Sequence, residues 1–252
     1  MFTAGNLILG SLAGLIVGLS KTALPGAALV ATPMIAAIVT GRAIPGTTLP
    51  LLIAADIFAV SWYRQHARWD LLRPMIIAVS VGFAAGAAFF AIVGSATRPI
   101  ELVIGISILL MVVIQSWRMI GGSEPAIPTQ TAAAVYASTG GFTTFVANAA
   151  GPILNTYLVR LGLTKEEMVG TSAWFYFAVN IAKVPVYLAL GEWSSGGSFF
   201  TRANLAFDAV LMPAVLVGLF GGRALFHKLP ERAFLIGVLV LSAAGAIKLL
   251  LP

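Results

Sequence analysis

The chain has 252 residues, 59% of them hydrophobic and 10% charged, with a mean hydropathy of +0.98. One soluble core of this length cannot hide so much apolar surface, which excludes an ordinary soluble domain and turns the excess toward lipid. Cysteine is absent, so disulfides, thiolate metal sites and cysteine nucleophiles are excluded, and the formal charge of +6 is scattered rather than gathered into a patch for nucleic acid.

In chain order, apolar segments are predicted at 6–20, 25–41, 48–64, 72–94, 99–118, 131–147, 152–162, 168–190, 204–225 and 232–251. Several match the length of about 20 apolar residues that a membrane-crossing helix needs. No Lys or Arg precedes the first run, so it is expected to belong to the mature fold rather than to a cleavable leader. The stretch that reads as a linker, 121–130 (GGSEPAIPTQ), falls near the middle. The expected fold class is an all-α integral membrane protein, a polytopic helical bundle forming a single domain over 1–252.

If each segment changes side, one side collects Arg64, Arg68, Arg73, Arg118, Arg160, Lys165, Arg223, Lys228 and Arg232, and the other Arg42, Arg98, Arg202 and Lys248. Nine against four puts the first group in the cytoplasm and both termini outside, periplasmic in a Gram-negative cell. The halves also match each other. Gly26 corresponds to Gly151, Thr47 to Thr171, Asp56 to Asn180 and Gly105 to Gly237 at slowly rising offsets. Two inverted repeats are therefore expected, about 5–120 and 131–251, of about five segments each. Parity is the same whether the first two segments of each repeat are re-entrant hairpins or full spans.

Each half breaks early: Ser20-Lys21-Thr22-Ala23-Leu24-Pro25-Gly26 in the first, and Ala147-Asn148-Ala149-Ala150-Gly151-Pro152 in the second. Proline suits the first turn of a helix, so new helices are expected to start at Pro25 and Pro152 with free N–H groups aimed inward. Irregular backbone at membrane depth requires a protein or water lining, and two helix N-termini at one cavity make an anion site. Close packing is the ordinary alternative use of such residues. Lys21 and Lys183 are expected inside the membrane with Asp56 as the one acid at that depth, either an ion-pair partner or a proton carrier. The surplus positive charge calls for an anion. Thr22, Pro25, Gly26, Asn148, Gly151 and Asn155 join the two lysines as candidate substrate contacts. Thr47, Thr48, Thr171 and Ser172 are read first as helix caps and second, with Asn180, as substrate contacts. Gly82 with Gly86 and Gly218 with Gly222 are read as packing; Trp62, Trp69, Trp117 and Trp193 as an interfacial belt.

The regions Gly18-Leu19-Ser20-Lys21-Thr22-Ala23-Leu24-Pro25-Gly26, Thr32-Pro33, Gly140-Gly141-Phe142-Thr143-Thr144 and Asn148-Ala149-Ala150-Gly151-Pro152 resemble the paired signatures of the TauE/SafE sulfite exporter family. That resemblance covers essentially the whole chain. It implies transport of sulfite, thiosulfate or small organosulfonates across the bacterial inner membrane, commonly outward. Many members carry runs of glycine where this chain has Lys-Thr-Ala-Leu-Pro-Gly and Asn-Ala-Ala-Gly-Pro.

The expected function is thus secondary transport of a small sulfur-containing anion by alternating access, with a co-transported proton where transport is coupled. Alternatives are an anion channel or an importer of another carboxylate or oxyanion. An intramembrane enzyme is disfavoured because no histidine, cysteine or carboxylate pair falls in the predicted core, and neither metal nor cofactor is called for.

Overall fold

Lipid offers the backbone no hydrogen bonds, so apolar segments must pair their N–H and C=O groups internally, and they do so as helices. The computed structural model of the chain describes residues 1–23, 26–121, 130–193, 197–225 and 231–251. Its α-helices are α1 Ala4–Thr22, α2 Ala31–Ala36, α3 Ala43–Tyr63, α4 Trp69–Val93, α5 Thr97–Met119, α6 Gln130–Ala147, α7 Gly151–Arg160, α8 Lys165–Trp193, α9 Arg202–Leu225 and α10 Glu231–Leu250. A 3-10 turn, Ala27–Val30, leads into α2, and another, Arg64–His66, follows α3. Each predicted segment corresponds to one helix. Pro25, the linker over 122–129, Lys228 and the side chain of Trp193 lie outside the described residues.

Two differences from expectation have local causes. Helix α3 begins at Ala43 rather than 48, because Pro45 falls in its first turn, where a missing N–H leaves no bond unmade. Thr48 sits inside that helix and returns its hydroxyl to the Ile44 carbonyl at 2.9 Å. After the first break no long helix follows: the four-residue 3-10 turn and the six-residue α2 make up the return.

Seven helices among the described residues are long and apolar enough to cross a bilayer. The Ala27–Ala36 piece and α7 each have ten residues. Ten residues rise only about 15 Å, half the roughly 30 Å hydrocarbon layer. So α1–α2 and α6–α7 are unequal hairpins, each with a long entering limb and a half-length helical return. Contacts link the ends on one side in a chain: Phe2 packs on Phe207, Gly46 on the Phe199 carbonyl and Gly41 on Thr97, and Arg98 donates to the carbonyls of Leu249 and Leu251 at 2.9 and 2.7 Å. The chain's two ends therefore share one end of the bundle.

Helix α1 packs along α9, α4 along α6, α3 on α8, α5 on α10, α2 on α10 and α7 on α5. Exchanging the first five helices for the last five maps this set of contacts onto itself. The α1–α9 and α4–α6 pairs run parallel and very close: a Cβ on Gly218 would lie 2.1 Å from the Leu15 carbonyl oxygen, and one on Gly82 1.7 Å from that of Ser138. Only glycine admits such backbone contact, the use expected of Gly82 and Gly218.

Candidate functional site

The tips of the two hairpins meet. A Cβ on Gly151, at the start of α7, would lie 3.3 Å from the Gly26 Cα. Gly26 holds φ at 95° and Asn148 at 53°, left-handed conformations that glycine and asparagine adopt most readily. The Asn148 N–H closes α6 by bonding to the Thr144 carbonyl at 3.0 Å, a left-handed helix cap. Thr32, in the first turn of α2, donates to the Ala147 carbonyl at 2.8 Å and ties one hairpin to the other.

Beside this meeting point lies a cavity of about 50 Å³, room for a few waters or one small oxyanion. Lys21, Gly26, Asn148, Gly151, Asn155, Ser172 and Asn180 line it, all of them candidates from the sequence. Ser20, Thr144 and Tyr176 line it too and were not singled out, since lone hydroxyls in apolar helices carry no periodic signal.

Lys21 Nζ stands 2.7 Å from Asp56 Oδ1, with the two side chains 7% and 0% exposed. The same ammonium lies 4.2 Å from the centre of the Tyr176 ring, a cation–π contact. Asn180 donates to Asp56 Oδ2 at 2.7 Å and accepts from Lys183 at 2.9 Å. Asp56 is thus an ion-pair partner. Asn155 Oδ1 and Ser172 Oγ are buried and have no partner among the described residues, polar atoms able to engage whatever fills the cavity.

Other candidates point elsewhere. Thr22 donates to the Gly18 and Leu219 carbonyls at 3.4 and 3.3 Å, facing α9. Thr47 is buried and unpartnered but does not line the cavity. Thr171 accepts from the Arg68 backbone N–H at 3.0 Å, in the second turn of α8. The helix starts lie well upstream of Thr47, Thr48, Thr171 and Ser172, so none of them caps a helix. Lys183 is buried but absent from the cavity wall, held by three side chains.

Asp56 is not the one deep acid. Asp208 on α9 is 2% exposed, and among the described residues neither of its oxygens has a partner, nor does Asn204 Nδ2, one turn earlier. An unpartnered buried carboxyl costs about 1–3 kcal/mol, so Asp208→Leu is expected to raise the thermal midpoint of the purified protein. A lowered midpoint would reveal a partner.

Among the described residues no three His, Cys, Asp or Glu side chains gather as a metal site. Asp56 takes Lys21 as its partner, which leaves Lys183 without a carboxylate partner among the described residues. The family model described as "Sulfite exporter TauE/SafE" matches residues 10–249. No curated protein and no solved structure gives a match.

Proposed function

The chain belongs to the TauE/SafE sulfite exporter family, a family of multi-pass membrane transporters, and on that footing we propose that it carries a small sulfur oxyanion, sulfite or thiosulfate, through the cavity where its hairpins meet. The observation that carries this reading is the polar cavity wall with a lysine in it: Lys21 is poised between Asp56 and the cavity, and Asn155 Oδ1 and Ser172 Oγ, without partners among the described residues, belong to the same wall. A charge in that setting is retained only for a purpose that repays its burial.

The two halves are read as inverted repeats, supported by the set of helix contacts that survives their exchange. Alternating access then follows as rocking of one hairpin past the other about the Gly26–Gly151 contact. Outward transport is favoured energetically, since an anion leaving a negative cytoplasm gains about 2.3 kcal/mol per charge per 100 mV with no coupled ion. The bias of basic residues to one side supports a reading with both termini outside, and the family supports the bacterial inner membrane as the location.

Efflux from proteoliposomes loaded with sulfite or thiosulfate tests the reading. Losing a charge-assisted contact of about 1.5–3 kcal/mol should slow Lys21→Ala about tenfold or more at limiting substrate. Undiminished flux in that variant would remove Lys21 from the site. Flux without counterflow would make the protein a channel.

A further inference from the structure

Lys183 is completely buried. An ammonium has three N–H groups and no acceptor, and here three oxygens receive them: Thr144 Oγ1 at 3.0 Å, Asn148 Oδ1 at 2.8 Å and Asn180 Oδ1 at 2.9 Å. All three oxygens are neutral. No donor is left for a substrate, and the residue does not line the cavity.

The oxygens also stand at a telling place. Thr144 belongs to the last turn of α6 and Asn148 to its cap, at the break before α7, while Asn180 lies one turn before Lys183 on α8. Asn148 is the one described non-glycine residue with positive φ. Glycine adopts that conformation at less cost, but it has no carboxamide oxygen to offer. The second Asn148 function is in use as well, its Nδ2 donating to the Pro45 carbonyl at 3.3 Å. Neutral oxygens collected around an interrupted helix are how membrane transporters bind a coupling cation. In this chain the cation at that spot is covalently attached.

We propose that Lys183 is a tethered cation: its ammonium permanently fills a three-oxygen cation site at the α6–α7 break, so the break is held together without a dissolved cation. The consequence for transport rests on the transporter reading above: flux needs no potassium or sodium. Occupancy of the site does not depend on that reading. The group also supplies the leftover positive charge behind the cavity wall, acting on the anion through Asn148 and Asn180 rather than by touching it.

The test is thermal melting of purified wild type, Lys183→Ala and Lys183→Met in choline, potassium and ammonium chloride at equal ionic strength. Lys183→Ala vacates the shell and should melt lowest in choline, rising by about 3 °C or more in ammonium or potassium. Lys183→Met fills the stem without charge and leaves no room for an ion, so it and wild type should be indifferent to the salt. A Lys183→Ala protein that melts alike in all three salts, or folds in none, overturns the proposal, as does a cation-dependent wild type or a cation response in Lys183→Met. Sulfite flux through wild type should be equal in choline and potassium. Absence of flux in every medium would instead count against the transporter reading and leave the melting result standing.

Discussion

Asp56→Ala is expected to abolish anion flux and to destabilise the protein by about 3–5 kcal/mol, because it strands the Lys21 ammonium in the interior. Asp56 is wholly buried between Lys21 at 2.7 Å and the Asn180 amide at 2.7 Å, and three helices, α1, α3 and α8, converge on it. Removing its charge also frees the Asn180 Nδ2 donor, which has no other acceptor. The companion variant, Lys21→Met with Asp56→Leu, replaces both charges by apolar groups of similar volume and should recover most of the lost stability, since paired replacement of buried ions is often neutral or better. It should recover none of the flux. Denaturation of the purified variants in detergent, beside efflux from proteoliposomes, separates the two effects. A double variant as unstable as Asp56→Ala would show that the pair is not what holds these helices, and a double variant that transports would show that neither charge serves the anion.

The second large effect is expected at the helix contacts. Gly82→Ala and Gly218→Ala each put a methyl group inside the van der Waals radius of a backbone oxygen, 1.7 Å from Ser138 and 2.1 Å from Leu15. Backbone has no rotamer by which to yield, so α4 must separate from α6, and α1 from α9, along their length. A cost of at least about 3 kcal/mol is expected for each, the upper end of overpacking penalties. Gly221 is the control: a Cβ there meets nothing within 4 Å, and Gly221→Ala should be neutral or stabilise by up to about 1 kcal/mol through helix propensity. Equal losses at Gly218 and Gly221 would refute the close-approach account.

Much of this architecture was legible before any coordinates, for reasons visible in particular residues. Hydropathy located the ten α-helices of the described residues, because lipid imposes a length and a polarity on the spanning ones. The Pro-Gly and Gly-Pro pairs marked both breaks, and Gly26 does meet Gly151. Lys21 and Asp56 were recognisable as deep charges, but which of two lysines Asp56 would take was not, since that depends on the azimuth of α1 and α8 around α3. The same ignorance of azimuth sent Lys183 to the cavity wall when its neighbours turn it behind that wall. Asp208 carries no sequence signal of its burial, which comes from the helices packed around α9. Thr47, Thr48, Thr171 and Ser172 were misplaced as caps by a few residues' error in where α3 and α8 begin, an error that changes a residue's role completely.

The parallel pairing of α1 with α9 has a consequence for how the protein is made. Thr22 donates to the Leu219 carbonyl, a residue the ribosome adds almost 200 positions later, and the glycine face of α1 has no close partner until α9 arrives. The first five helices must enter the membrane and wait, with α1 and α4 each missing the neighbour that the other half will supply. Each half completes the other's seams, so the native packing of both rests on sequence-distant contacts, the kind that form slowly. A chain cut in the linker therefore separates two pieces that must find each other in the bilayer before either has its native packing.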